Sequence, residues 1–180
     1  MNSDFGVDPA LFDLPAPHLW AVEVPAEAID NYGHVNNTVY ITWLDQCAWD
    51  HSRAVGLTKE DCDGLDRGMA VLRSQFNYLR PAFEGDTVVT ATWIIENDGR
   101  LRCARRFQIV RPSDGATLLR GRIDFFCLEI STGKPTRLPP LFMERYVVIP
   151  EVAEAMAREP LAFMPGLDQK LVKRLDADLR

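Results

Sequence analysis

The sequence predicts an α+β fold: one long amphipathic helix laid on an antiparallel meander of strands. Three observations carry this. Tyr40, Trp43, Leu44, Cys47, Ala48 and His51 recur at three- and four-residue spacing, the repeat of a single helix face. From Met69 onward the apolar repeat shortens to two, as in a half-buried strand. Asn97-Asp98-Gly99 and Ser113-Asp114-Gly115 then break the alternation with hairpin-turn chemistry. One helix followed by a run of strands leaves one sheet face to cover and one helix to cover it.

Residues 1–17 carry prolines at 9, 15 and 17 and read as an irregular arm, free to wrap on a neighbour. Leu19–Val24 has the aromatic and β-branched content of a short strand. After Pro25, residues 26–29 read as a second extended piece that delivers Asp30. The helix runs from about Asn37 to Ala54, with Asn36 or Asn37 as its N-cap and Gly56 as its stop. Tyr40 and Trp43, on its apolar face, read first as core residues. Residues 57–68 are acidic and form a short surface helix or loop. Strands follow at 69–80, ended by Pro81, and at 87–96, 100–112 and 116–130. In the third of these, Leu101, Cys103, Phe107 and Ile109 share a side. Pro150–Arg158 reads as a helix with proline at its first position. Leu167, Leu171, Leu175 and Leu179 mark a further amphipathic helix. The whole, 1–180, reads as one domain with a helical C-terminal extension over 147–180. That tail covers the sheet, caps a pocket, supports an oligomer or packs on its own subunit.

Composition narrows the function. A chain of 180 residues with 47% hydrophobic content suits one sizeable core, and a net charge of −6 argues against nucleic-acid binding. The four cysteines (47, 62, 103 and 127) form no Cys-x-x-Cys pair and there are only three histidines, so neither a zinc site nor another cofactor is expected. Free thiols point to a reducing compartment. No basic start with an apolar run opens the chain, and no stretch is apolar enough to span a membrane. A cytoplasmic location is the expectation.

The stretch with most chemistry in it is Asp30-Asn31-Tyr32-Gly33-His34-Val35-Asn36-Asn37, leading into Tyr40, Trp43, Leu44 and Asp45. A carboxylate, a glycine and a histidine stand just before a helix begins. The free N–H groups of a helix's first turn, at the positive end of its dipole, polarise a carbonyl or hold an anion. The pairing is a base or nucleophile beside an electrophile. A plain turn is the competing reading, since Asp and Gly are ordinary turn residues.

The run Asp-x-x-Gly-His-Val-Asn-Asn-x-x-Tyr-x-x-Trp-Leu-Asp resembles the signature of the 4-hydroxybenzoyl-CoA thioesterase family within the hotdog-fold superfamily. It is also similar to the acyl-ACP thioesterases, which share His-Val-Asn-Asn. The resemblance is dense over 30–45 and extends as element order to about Arg145. It implies the hotdog fold, a curved antiparallel sheet wrapped around a long central helix, and hydrolysis of an acyl-CoA thioester. It implies that Asp30 attacks the thioester carbon or activates water, and that the backbone N–H of Asn37 receives the carbonyl oxygen. His34 matches a functional histidine of the acyl-ACP branch and stands as an orienting or polarising residue. Gly33 allows close backbone approach, Asn36 holds the loop, and Tyr40 lies beside the substrate. Arg100 and Arg102, at a basic hairpin, are expected to meet the phosphates of CoA. Tyr32 departs from the CoA branch, which has Asn there. The resemblance also implies a homodimer or homotetramer.

Two other functions use the same fold. A hydratase or dehydratase of this superfamily often carries Pro beside its His, where this chain has Val35. A non-catalytic acyl-CoA-binding module would not require Asp30. Some hotdog members use a helix Glu in place of the loop acid, and no Glu occurs between Asn37 and Lys59.

Overall fold

The computed structural model describes residues 5–158. β1 (His18–Glu23) leads through a 3-10 turn (Ala26–Ala28) to α1 (Asn37–Ala54) and α2 (Lys59–Leu65). Four strands follow: β2 (Arg67–Tyr78), β3 (Thr87–Asn97), β4 (Arg102–Arg111) and β5 (Ala116–Glu129). α3 (Pro140–Arg145) and α4 (Pro150–Arg158) close the described part. The strands form one antiparallel sheet in the order β1-β3-β4-β5-β2. The α+β layout read from the periodicity is therefore present, with α1 at the expected bounds. The leucine repeat at 167–179 lies outside the described residues.

Residues 26–29 are not extended. Ala28 and Ile29 donate back to Pro25 and Ala26 in a 3-10 turn, and only Ile29 pairs as a strand residue, in a single bridge to Val35. Two alanines around Glu27, with no β-branched residue before Ile29, offer little to a ladder.

α1 buries Tyr40, Trp43, Leu44 and Cys47 against the inner sheet face, where Val88, Phe107, Ile109, Leu119 and Ile123 meet them. The outer face is covered as well. Val88–Ile95 of β3 and Cys103–Val110 of β4 are buried without a break. Phe12 and Leu14 of the arm and Val152 of α4 pack on Val89, Ala91, Trp93 and Val110. Polar contacts fix the arm in register. Asp13 accepts from Arg106 and Arg120 at 2.7 Å, and the indole N–H of Trp93 donates to the Pro15 carbonyl at 2.8 Å. The arm thus packs on its own sheet, because charges and apolar sites that receive it lie on β3, β4 and β5 of the same chain.

β2 is a sheet edge. Its register slips between Val71 and Arg73, and the slip leaves Val71 57% and Leu72 52% exposed. The strict alternation expected there fails for that reason. β2 starts beside the β3–β4 turn, where Arg67 pairs with Glu129, and ends beside the start of α1, where the Tyr78 hydroxyl donates to the Asn37 carbonyl.

Candidate active site

The loop from Ile29 to Asn36 is a small closed hairpin. Ile29 and Val35 bridge at its base, the Asp30 N–H donates to His34 O at 2.9 Å, and the Gly33 N–H donates to Asp30 O at 3.0 Å. Gly33 has φ +80°, a left-handed conformation that favours glycine, and a Cβ there would meet nothing within 4 Å. The glycine is required by backbone conformation and not by crowding within the protomer. Both exits of the loop are pinned: Val35 N–H donates to Ala82 O, and Asn36 N–H donates to Ala28 O, each at 2.9 Å.

The Asp30 carboxylate uses one oxygen to hold its own turn, accepting the Tyr32 N–H at 2.8 Å. Its second oxygen lies 3.7 Å from Nδ1 of His34, within ion-pair range and beyond a good hydrogen bond. The Asp30 side chain is 21% exposed, partly buried at the loop. His34 Nδ1 also lies 3.3 Å from the Val35 carbonyl. The ring of Tyr32, 87% exposed, is stacked on the His34 ring at 6.2 Å between centroids. No role was read for Tyr32 in the sequence; its exposure beside the acid is the signal that tertiary structure adds.

Asn36 is the N-cap. Its Oδ1 accepts from Thr38 N–H at 2.9 Å and from the Thr38 hydroxyl at 2.8 Å. This leaves the Asn37 N–H, at the first helical position, without an intrahelical carbonyl. Asp30 and that N–H belong to the same pinned segment at the positive end of an 18-residue helix.

Tyr40, expected beside the substrate, is a core residue of α1. It is 2% exposed in the core, and its hydroxyl accepts the Ala82 N–H at 2.8 Å. Within the protomer its part is to position Ala82, whose carbonyl holds the loop.

Arg100 and Arg102 are not brought to Asp30 within one protomer. β3 begins beside Glu23, near the loop, and ends at Asn97, so the β3–β4 turn lies about 33 Å away at ~3.3 Å per residue. Asp98 Oδ1 accepts the N–H groups of Arg100, Leu101 and Arg102, which locks the turn and leaves both arginine side chains exposed.

A second polar cluster, missed in the sequence, lies toward the other end of α1. Arg105 is 4% exposed, and its guanidinium donates to His51 Nδ1 at 2.8 Å and to Ser52 Oγ at 3.0 Å. Its signal was present in the sequence, since position 105 falls in the inward alternation between Cys103 and Phe107. All four cysteines are free and buried. Burial pushes the Cys103 thiol up to about 11, so it is a poor nucleophile. Among the described residues no group of three His, Cys, Asp or Glu is placed to hold a metal, and no helix is long and apolar enough to cross a membrane.

Comparison with known proteins adds to this geometry. The chain resembles the long-chain acyl-CoA thioesterase FadM of Escherichia coli (strain K12), with 25% identity over 121 residues, 65% of this chain and 87% of that protein. In structure it is similar to a 1,4-dihydroxy-2-naphthoyl-CoA thioesterase from Synechocystis, with TM-score 0.66 and 14% identity over 73% of this chain and 96% of that one. A DHNA-CoA thioesterase from Staphylococcus aureus gives TM-score 0.66 and 22% identity over 79% and 93% of the two chains. These likenesses show the hotdog fold. The family model of the thioesterase-like superfamily matches residues 24–146, from the end of β1 through the loop acid and the sheet to the end of α3. By that match the chain belongs to the thioesterase-like superfamily.

Proposed function

We propose that the protein hydrolyses an acyl-CoA thioester, with Asp30 as nucleophile or general base and the Asn37 N–H as the donor to the carbonyl oxygen. One observation carries this. The same pinned loop presents a half-buried carboxylate and, seven residues on, the first unsatisfied N–H of α1. Acyl transfer from a thioester needs an attacking group and a donor where negative charge develops on oxygen. Asp30 supplies the first, either by adding to the thioester carbon or by taking a proton from water. The helix N-terminus supplies the second. When water attacks, thiolate departure as CoA leaves the free acid; when Asp30 attacks, thiolate departure leaves a mixed anhydride on Asp30, which water then hydrolyses to the free acid and the restored carboxylate. His34, beside the free carboxylate oxygen, orients Asp30 or the attacking water.

The long exposed edge of β2 supports a homodimer, because an unpaired edge of this length invites a partner strand. Antiparallel pairing of two β2 strands about a two-fold axis would set the Arg67 end of one copy beside the Tyr78 end of the other. That arrangement brings Arg100 and Arg102 of one copy toward the loop of the second, where they would meet the phosphates of the bound CoA.

Asp30→Asn tests the central assignment. Thiol release should fall by about a hundredfold or more, the scale of losing a general base, while acyl-CoA affinity and oligomeric mass are kept. His34→Gln should cost less than Asp30→Asn. Parental turnover by folded Asp30→Asn would remove Asp30 from the reaction.

A further inference from the structure

Arg105 carries a buried charge with no carboxylate to meet it. Among the described residues its polar partners are Nδ1 of His51 and Oγ of Ser52, with the Tyr146 ring 5.0 Å from its guanidinium carbon. All three are neutral. His51 must present a lone pair at Nδ1 to accept from Arg105, and burial together with the Arg105 charge pushes its pKa down to about 3. Arginine does not deprotonate in proteins, and it has five N–H donors, of which the two contacts use two. A buried cation held only by neutral groups is costly, and an anion beside it recovers much of that cost.

Arg105 also lines a cavity of about 330 Å³ between α1, α2, α3 and the inner sheet face. This lies within the size range of small-molecule pockets, roughly 300–1,000 Å³. Ala48, Met69, Phe125 and Phe142 make its walls mainly apolar. The other charged groups on it do not reach Arg105: Lys59 and Asp63 pair with each other, and Asp45 is a turn or more up the helix, its carboxyl raised by burial. The cavity therefore offers an apolar body and one buried, uncompensated cation.

We propose that this cavity binds an apolar carboxylate with Arg105 as its counterion. An aliphatic chain would lie along the walls, and the carboxylate would accept from the remaining guanidinium donors. The same chemistry has two sources: the far end of a dicarboxylic acyl group, or a free fatty acid. Ser52 stands about 22 Å along α1 from Asn37, at ~1.5 Å per residue, so an acyl group reaching Arg105 from the thioester site of the same protomer is a long one. The site rests on its own geometry and not on the thioesterase reading.

Calorimetric titration of the full chain with decanoate and with decanol tests it without turnover. Decanoate should bind about tenfold or more tightly than decanol, the scale of a charge-assisted contact. Arg105→Met should lower decanoate affinity to that of decanol and leave decanol unchanged. Met69→Trp, which keeps Arg105 and fills the cavity, should abolish binding of both, and it serves if Arg105→Met does not fold. Equal affinity for decanoate and decanol, or undiminished decanoate binding by either folded variant, overturns the proposal. Turnover of the CoA thioesters of octadecanoic and octadecanedioic acid, whose chains are long enough to span about 22 Å, then separates the sources. A preference for the dicarboxylic thioester that Arg105→Met erases assigns the site to the acyl end. Absence of that preference, with calorimetric decanoate binding intact, assigns it to the free acid.

Discussion

The hydroxyl of Tyr40 accepts the Ala82 N–H at 2.8 Å, and the carbonyl of Ala82 accepts the Val35 N–H at 2.9 Å. A core side chain on α1 thus fixes the residue that clamps the loop bearing Asp30. Tyr40→Phe keeps the ring and removes the acceptor. It should cost about 1–2 kcal/mol of stability, since the Ala82 N–H is left buried without a partner. A drop of a fewfold in kcat should accompany it as the loop loosens. Thermal unfolding and thiol release on one preparation check both, and unchanged stability would contradict the clamp.

Arg100 acts on binding if it meets CoA across a dimer. Arg100→Ala should raise KM about three- to tenfold, the scale of one exposed charge contact, with little change in kcat. A short pantetheine thioester lacks the nucleotide phosphates and should show no such rise. Equal effects on the two substrates would remove Arg100 from the phosphate site.

Assembly is testable at the β2 edge. The double substitution Val71→Lys and Leu72→Lys places charge on the exposed edge residues, which opposes strand pairing. Light scattering should show a shift toward the monomer mass, and activity should fall with it. A parental mass in the double variant would place the interface elsewhere.

The buried cluster at the C-terminal end of α1 should show in the pH dependence of stability. Burial, then the charges of Arg105 and His18, hold the His51 pKa at about 3 against an ordinary 6.5, with Asp50 opposing. The unfolded chain takes up this proton near pH 6.5 and the folded chain only near 3. The fold therefore keeps its full contribution above about 6.5 and loses it as pH falls toward 3. About 1–2 kcal/mol should be lost by pH ~5, lowering Tm by several degrees. His51→Gln, which retains an acceptor for Arg105, should flatten this dependence in thermal melts.

Much of the fold and of the site loop was legible in the sequence, because both depend on local pattern. Helical spacing from Tyr40 to His51, alternation in the strands and Gly-containing turns set α1 and the sheet strands to within a few residues. Asp30, Gly33 and the Asn36 cap lie within one short segment, so their order alone places the acid before the helix. What only the tertiary structure decided involves partners far apart in the chain. Asp13 meets Arg106 and Arg120, separated from it by 93 and 107 positions, so the arm's place on the outer sheet face has no local signature. Arg105 falls at an inward position by alternation, yet its lack of a carboxylate is visible only once α1, α3 and β4 surround it. The distance from Asp30 to Arg100 was likewise undetermined by sequence, because strand direction and sheet order, and not residue type, put them at opposite ends of β3.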